Sequence, residues 1–334
     1  MSASWRSSAT LAVMHKRARM LQAVRAFFAA RDVLEIETPL LASAAVTDPH
    51  LDSMRVHSGE EARVLNTSPE YCMKRFVSEH RCAVYQVSKS FRAGEHGPLH
   101  NPEFTMLEWY RPGFSLEQLM TETGELIQAV AQALGQPPVA VRQLSYRELF
   151  MELCGLNPHR CGVEQLADFA RQRGLDIPQG LAIRNSTGLK DVIARDAWLD
   201  WLMSTQVVAA LPADQLTVIV DFPASQCALA QLADNAFGEK VARRFECYIG
   251  ALELANAYHE LTEYGEQRQR FELDNNKRHL LNKPSVSYDR YVLQALEHGL
   301  PDCAGVSVGL DRLLMALTGA PSIDRVISYD WNRV

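Results

Sequence analysis

The chain has 334 residues, 47% of them hydrophobic and 22% charged, so it can bury one large core or two modest ones. Its formal net charge of -6 argues against a protein that binds nucleic acid through a broad basic surface, although a local basic patch stays open. No segment approaches the roughly 20 apolar residues that a membrane-spanning helix needs. A membrane protein is therefore not expected.

The cysteine pattern favours a reducing compartment. The seven cysteines contain no C-x-x-C pair, and their number is odd. The N-terminus lacks a long apolar run behind basic residues, so a secretory leader is not expected. We therefore predict free thiols and a cytoplasmic protein.

The first part of the chain mixes helical and strand patterns. Residues 10–31 carry apolar side chains at helical spacing, which predicts an amphipathic helix, and a short strand is predicted at 33–38. Residues 90–111 predict two strands joined by a polar loop. Residues 115–134 predict a second strong helix, because Ser115 and Gln118 have capping-box spacing.

The rest of the chain begins with its least informative segment. Residues 140–215 contain helical patterns at 146–154, 163–173 and 191–203, which we interpret as a helical insertion that covers one side of the core. Strand patterns return at 217–222 and 244–261. Helices are then predicted at 263–281, before Gly299, and after a strand that starts at 305. Hairpin-like strand pairs favour an α+β fold, with an antiparallel sheet flanked by helices.

The strand at 103–111 has one chemically unusual face. Strand periodicity places Phe104, Met106, Glu108 and Tyr110 on one side, and Thr105, Leu107, Trp109 and Arg111 on the other. Phe104 and Tyr110 could be ordinary core aromatics. A carboxylate between them argues against a purely apolar core, because a buried glutamate needs partners.

Two glutamates flank a predicted hairpin turn. A symmetric hairpin centred between Ile249 and Gly250 sets Glu246 opposite Glu253. Facing carboxylates repel, so a cation or a shared proton is expected there, and Mg²⁺ is commonly held by carboxylates together with substrate phosphates. Alternatively, the register is shifted and one glutamate is solvated. Glu260 adds a third acid, and such a patch could also receive the ammonium groups of a cationic substrate.

Arg92 and Arg312 are candidate phosphate ligands. Arg312 opens an apolar helix after a glycine-rich strand, where backbone can approach a ligand closely and a helix N-terminus favours phosphate. A guanidinium suits both phosphate binding and stacking on adenine. The alternative for each arginine is a surface ion pair, for instance between Arg312 and Asp311 or Asp324.

Five ordered segments resemble the class II aminoacyl-tRNA synthetases, most closely the lysyl branch. They are DVLEIETPLLASAAVTDPHL (32–51), TSPEYCMKR (67–75), SFRAGEHGPLHNPEFTMLEWY (90–110), ELANAYHEL (253–261) and GVSVGLDRLLMAL (305–317). The resemblance implies a single catalytic domain over 1–334 and a homodimer built on the helix at 10–31 and the strand ending at Pro39. Because that helix begins near residue 10, we expect no N-terminal anticodon-binding domain. A free-standing core of this kind resembles the elongation factor P β-lysine ligases.

The resemblance also implies substrates and site residues. The substrates are ATP, (R)-β-lysine and a lysine side chain of elongation factor P, with Mg²⁺ as cofactor and tRNA not expected. Arg92 and Arg312 are the implied catalytic residues. The implied ATP site comprises Arg92, Ala93, Gly94, Glu95, Asn101, Phe104, Glu253, Leu254, Gly309 and Arg312. The implied amino-acid site comprises Ser68, Pro69, Glu70, Tyr110, Asn256, Glu260 and Ser307, and the implied metal ligands are Glu246 and Glu253.

Two positions depart from the pattern of the lysyl-tRNA synthetases. Gly94 stands where those enzymes usually have glutamate, so an adenine contact there would fall to Glu95 or the backbone. Ser307 stands where they usually have glycine, and its side chain would reshape the pocket floor, which favours a substrate other than α-lysine.

The resulting hypothesis is a two-step ligation through an aminoacyl-adenylate without a protein nucleophile. Two alternatives stay open. The first is a lysine-activating ligase that charges tRNA or a small acceptor, and the second is a noncatalytic synthetase paralogue.

Overall fold

The computed structural model describes residues 5–59, 61–181 and 187–334. The helices of this part of the chain are α1 (Leu11–Ala29), α2 (Glu70–His80), α3 (Leu116–Ala133), α4 (Tyr146–Cys154), α5 (Val163–Gln172), α6 (Leu189–Leu202), α7 (Tyr264–Leu280), α8 (Arg290–His298) and α9 (Leu310–Thr318). The strands are β1 (Leu34–Glu35), β2 (Leu41–Ala42), β3 (Arg55–Ser58), β4 (Glu61–Leu65), β5 (Val84–Phe91), β6 (Glu103–Pro112), β7 (Ala140–Ser145), β8 (Gln215–Pro223), β9 (Leu232–Asp234), β10 (Lys240–Ile249), β11 (Leu252–His259) and β12 (Cys303–Gly309).

The main sheet confirms the predicted α+β class. Its strand order is β1-β5-β6-β12-β11-β10-β8-β7, and β9 pairs with β10. The two outermost pairs, β1 with β5 and β7 with β8, are parallel, whereas the remaining pairs are antiparallel. Strands β2, β4 and β3 form a separate small sheet. The centre of the main sheet therefore consists of β6, β12, β11 and β10.

Local sequence signals explain the helix boundaries. Ser115 and Gln118 form the predicted capping box at the start of α3, and Ser145 with Glu148 forms another at the start of α4. Such a box satisfies two backbone N–H groups that the helix itself leaves unpaired. The helices predicted at 146–154, 163–173 and 191–203 are confirmed to within two residues at each end.

Two strand assignments from sequence are corrected by the structure. The predicted strand at 33–38 pairs only at Leu34–Glu35, where it lies parallel to β5 at the sheet edge. The interpretation of 140–215 as helical missed β7, which extends the main sheet beside β8. Strand β7 is mostly exposed, so its sequence lacks the apolar alternation that reveals a half-buried strand.

The core divides into clusters on the two faces and one end of the sheet. The largest lies between the sheet and helices α1, α3 and α9, with Phe28 and Trp109 fully buried. A second packs α4, α5 and α6 against Ile219 and Phe222 of β8. A third joins α2 and α8 to Tyr110. Among the described residues, no helix combines the length and apolarity needed to cross a bilayer.

A buried ion pair joins the first helix to the last. Arg17 of α1 donates from Nη1 to Asp311 Oδ1 at 2.5 Å, and from Nη2 to Thr105 Oγ1 at 2.7 Å. The backbone N–H of Thr105 donates to Asp311 Oδ2 at 2.7 Å. Since the Asp311 side chain is only 2% exposed, its charge depends on these donors. The network fixes α1, β6 and α9 relative to one another.

Replacing Arg17 by alanine is expected to lower the free energy of unfolding by about 3 to 5 kcal/mol, because it leaves the buried Asp311 carboxylate without its counter-charge. Urea denaturation would measure the change. Arg19→Ala is the matched control, since Arg19 is exposed on the same helix. Equal stability of the two variants would contradict this role.

Candidate active site

A cavity of about 920 Å³ opens on the face of the sheet formed by β6, β12, β11 and β10. Most of the predicted site residues line it: Ser68, Glu70, Arg92, Glu95, Asn101, Phe104, Tyr110, Glu246, Glu253, Leu254, Asn256, Glu260, Ser307, Gly309 and Arg312. Pro69, Ala93 and Gly94 are not part of its lining. Pro69 caps α2, and Gly94 occupies a turn with a φ of 79°, which favours glycine.

Strand β6 presents its unusual face to this cavity, as its periodicity predicted. Phe104, Met106, Glu108 and Tyr110 line the cavity, whereas Leu107 packs into the core on the other side. The buried Glu108 has the partners that its burial requires. Tyr110 donates its hydroxyl proton to Glu108 Oε1 at 2.7 Å, and Ser68 Oγ donates to Glu108 Oε2 at 2.7 Å. Burial and the neighbouring charge of Glu70 nevertheless raise the pKa of Glu108.

A lysine that the sequence reasoning missed organises the acids at this end of the cavity. Lys74 Nζ lies 2.6 Å from Glu70 Oε1 and 2.6 Å from Glu260 Oε2. Although burial lowers the pKa of Lys74, the charges of Glu260 and Glu70 raise it above its ordinary value overall. The ammonium is therefore retained inside the protein. The i,i+4 spacing of Glu70 and Lys74 on α2 was a sequence signal for half of this arrangement.

Strand β12 forms the floor between these acids. A Cβ atom at Gly305 would lie 2.4 Å from Tyr110 Cε1 and 2.5 Å from Glu260 Oε1, so only glycine fits there. Two residues further along the strand, Ser307 lies opposite Glu108 and Asn256 and faces the cavity. Its hydroxyl donates to the Asn256 carbonyl oxygen at 3.3 Å. The predicted influence of Ser307 on the pocket floor is consistent with this position.

The predicted register of the β10–β11 hairpin is wrong. Glu246 pairs with Asn256, and Glu253 pairs with Tyr248, because the ladder shifts at a β-bulge between Cys247 and Tyr248. The periodicity of a strand cannot reveal such an extra residue, since a bulge arises from the pairing with its neighbour. The alternative that the register is shifted is therefore correct.

The bulge decides which side chains reach the cavity. Leu254 is the unpaired residue, so Glu253 and Asn256 both face the cavity despite their odd separation. Glu246 shares that face and accepts hydrogen bonds from Arg244 and from the Tyr248 hydroxyl. Burial raises the pKa of Glu246, and the charge of Glu253 adds to this, whereas Arg244 opposes it. The two predicted metal carboxylates thus lie on one face, diagonally rather than directly opposite.

Glu253 is not simply solvated, although its side chain is 43% exposed. Its carboxylate lies 3.7 Å from Arg312, and its carbonyl oxygen accepts a hydrogen bond from Arg312 at 3.2 Å. Among the described residues, no group of three or more histidine, cysteine or acidic side chains is arranged to hold a metal by itself. The carboxylates of Glu246 and Glu253 share one face of the hairpin, so together they fit a metal ion that takes its remaining oxygen ligands from a bound phosphate.

The arginine pair lies at the opposite end of the cavity from Lys74. The Arg92 guanidinium is 5.1 Å from the centre of the Phe104 ring and 3.7 Å from Glu95. Arg312 does not form the alternative ion pair with Asp311, which binds Arg17 instead. The side chains of Arg92 and Arg312 both line the cavity rather than the outer surface.

His100 was missed by the sequence reasoning and holds Arg312. Arg312 Nη2 lies 2.6 Å from His100 Nε2, and because arginine can only donate, this nitrogen accepts. Burial, and then the charge of Arg312, lower the pKa of His100, which agrees with a neutral ring. Arg312 also donates to the Leu99 carbonyl oxygen at 3.2 Å. These bonds leave the guanidinium fixed at the cavity wall.

The side chain of Asn101 forms its hydrogen bonds with the protein backbone. Its Nδ2 donates to the Glu103 carbonyl oxygen at 2.6 Å, and its Oδ1 accepts from the Trp331 N–H at 2.9 Å. The side chain thus shapes the loop before β6. Its predicted contact with a nucleotide stays a prediction.

The cavity as a whole is electrically divided. Arg92 and Arg312 lie at one end, each with a glutamate carboxylate 3.7 Å away, and Glu108, Glu260 and Glu70 lie at the other, with Lys74 compensating part of the negative charge. Such a cavity can bind a phosphate-bearing ligand and an amine-bearing ligand side by side.

Comparison with known proteins identifies the family. The model of the class II tRNA synthetases (D, K and N) matches residues 2–333. A relative from Pseudoalteromonas translucida, named elongation factor P–(R)-β-lysine ligase, is 40% identical over 336 residues and covers 98% of each chain. A relative of the same name from Edwardsiella ictaluri is 39% identical and covers 99% of this chain and 98% of its own. The chain therefore belongs to the class II tRNA synthetase family, within the group of the elongation factor P–(R)-β-lysine ligases.

Proposed function

We propose that the protein activates (R)-β-lysine with ATP and transfers it to a lysine side chain of elongation factor P. The observation that carries this proposal is the division of one cavity into an arginine end and a carboxylate end. Phosphates suit the first end, and a substrate with two amino groups suits the second. The relatives named for this reaction support the same conclusion.

In the first step, the carboxylate of the amino acid attacks the α-phosphorus of ATP, and pyrophosphate leaves. Arg92 is proposed to bind the α-phosphate, and Arg312 to reach the γ-phosphate and cover one face of adenine, with Phe104 on the other. Glu246 and Glu253 would hold Mg²⁺, which supplies positive charge to the phosphates when it is bound. Because these groups only position the reactants and stabilise charge, the step needs no protein nucleophile.

The substrate amino groups are proposed to bind among Glu108, Glu260 and Glu70. Tyr110 and Ser68 already hold Glu108 in place, and Lys74 bridges the other two carboxylates. Asn256 and Ser307 line the region between these acids and the phosphate end. Carboxylates that are fixed before the substrate arrives bind ammonium groups with little loss of side-chain entropy.

In the second step, the neutral amine of the acceptor lysine attacks the carbonyl carbon of the mixed anhydride. A C–N bond forms, the C–O bond to the phosphate breaks, AMP leaves, and the amine loses a proton. The product is an amide on the acceptor protein.

We also propose a symmetric homodimer of single-domain subunits in the cytoplasm, with residues 140–215 as an insertion. Exposed leucines beside the edge strand β1 support the dimer, namely Leu34, Leu40 and Leu41. Burying such side chains against a second copy is favourable. Sedimentation of a monomer at micromolar concentration would contradict the dimer.

The first experiment compares ATP–pyrophosphate exchange with (R)-β-lysine and with L-α-lysine, followed by the intact mass of elongation factor P after incubation. Preference for the β isomer and a single added β-lysyl mass are expected. Preference for α-lysine without modification of the factor would favour a ligase for tRNA or a small acceptor. No exchange with either isomer would favour a noncatalytic paralogue.

Arg92→Ala and Arg312→Ala are each expected to slow pyrophosphate exchange by about 100- to 1,000-fold. Each substitution removes a positioned positive charge that stabilises the negative charge developing on the phosphate. Chelation of Mg²⁺ should abolish exchange in the wild-type protein. Arg142→Ala is the control, since Arg142 is exposed on β7 and outside the cavity. Normal exchange by both cavity variants would refute the assigned phosphate site.

Ser307→Gly is expected to shift the ratio of kcat/KM for β-lysine over α-lysine towards α-lysine by about tenfold or more, because it removes atoms from the pocket floor. Ser307→Ala separates the effect of the Cβ atom on this ratio from the effect of the hydroxyl. An unchanged ratio in both variants would show that Ser307 does not contribute to the choice of substrate.

A further inference from the structure

The cavity has another wall, which the proposed adenylation chemistry does not use. It is formed by Asp196 and Asp200 of α6 and by Tyr146 of α4. The two aspartates are four residues apart, so they lie on the same face of the helix. Ser225 Oγ donates to Asp196 Oδ1 at 2.6 Å, and Gln226 Nε2 donates to Asp200 Oδ1 at 2.8 Å. Within the described part of the chain, these bonds leave Oδ2 of each aspartate free for a ligand.

Tyr146 supplies an independent indication that this wall binds something. It is 1% exposed, and its ring packs between Phe150 at 4.7 Å and Phe222 at 5.0 Å. Tyr146 lines the cavity, and its buried hydroxyl has no hydrogen-bond partner among the described residues. Burying a hydroxyl without a partner is unfavourable, so such groups are normally satisfied. A polar ligand group between Tyr146 and the aspartates would supply the missing partner.

The sheet register places this wall level with the middle of the cavity. Glu253 lies at the phosphate end of β11 and Glu260 follows its other end, so Asn256 lies between the two. Asn256 pairs with Glu246 of β10. Arg244 lies two residues before Glu246, and its guanidinium is 4.4 Å from the centre of the Phe222 ring. The Tyr146 ring packs on that same Phe222. The wall is therefore level with the middle of the cavity, where the proposed function places the junction between amino acid and phosphate.

The remaining lining suits an aliphatic chain that ends in an ammonium group. Met203, Val208 and Phe222 add apolar surface to the cavity next to the aspartates. Three basic side chains act on the charge of Asp196, namely Lys277, Arg195 and His50, and Arg244 acts on that of Asp200. Four acids line this side of the cavity: Asp48, Asp196, Asp200 and Asp274. The oxygens of Asp196 and Asp200 that accept no hydrogen bond are the groups that an ammonium would meet there.

We propose that this wall is the subsite for the acceptor amine, with the lysine ammonium on Asp196, Asp200 and the Tyr146 hydroxyl, and its aliphatic chain on Met203, Val208 and Phe222. The inference rests on the proposed function and deepens it, since it assigns the second substrate to the segment 140–215. One of the two aspartates accepts a proton from the bound ammonium, and the resulting neutral amine attacks the mixed anhydride while the adenylate remains in the main site.

The test separates the two half-reactions with the variants Asp196→Asn, Asp200→Asn and Tyr146→Phe. Pyrophosphate exchange with β-lysine should stay within about twofold of wild type, which also shows that each variant is folded. Transfer to elongation factor P should fall by about 10- to 100-fold for the aspartate variants, the effect expected for losing a hydrogen bond to a charged group. Asp176→Asn, at an exposed position in the same segment, is the matched control.

Hydroxylamine provides a second acceptor, because it is uncharged at neutral pH and needs no ammonium subsite. The variants should form the hydroxamate from the adenylate at the wild-type rate while transfer to the protein acceptor is impaired. Normal transfer to elongation factor P by all three variants would overturn the subsite. The subsite would also be overturned if the aspartate variants lost pyrophosphate exchange and added Mg²⁺ restored it. That result would assign the aspartates to the metal site. If the wild-type protein shows no exchange, the proposed function itself fails.

Discussion

The arrangement of the cavity depends on one buried carboxylate, Asp311. It accepts from Arg17 and from the backbone of Thr105, and so joins the start of α9 to the beginning of β6 and to the first helix. The residues next to these two contacts in sequence, Arg312 and Phe104, line the cavity. A network inside the core therefore sets the position of the groups at the proposed nucleotide site, and its cost of desolvation is offset by complete pairing.

Charge is separated along the cavity by the geometry of its central strands. The bulge at Leu254 turns Glu253 and Asn256 to the same side, which extends a row of polar groups from the arginine end towards Glu260. At the other end, Lys74 keeps Glu70 and Glu260 close together despite their like charges. A ligand that carries both phosphate and ammonium groups matches this distribution in one orientation only, which is the basis for specificity in a site of this kind.

A shared cavity also explains how one domain could bring three substrates together. The sheet provides the floor for nucleotide and amino acid, while α4 and α6 pack on β8 and provide a separate wall with its own acids. The segment 140–215 thus forms part of the cavity as well as packing on the sheet. Its anchoring network, in which Glu239 binds Arg147 at 2.8 Å and Asn157 at 2.8 Å, ties it to the β9–β10 turn.

The sequence by itself determined the features that depend on neighbours along the chain. The helix boundaries, the capping box at Ser115 and the polar face of β6 follow from local spacing, and the ordered family segments indicated the fold and most residues of the cavity. Only the tertiary structure decided the bulge at Leu254, the pairing of Lys74 with Glu260, the network of Asp311, and the approach of Tyr146 to Asp200. These depend on contacts between residues far apart in the chain, where register, burial and counter-charge are settled by packing and leave no periodic signal in sequence.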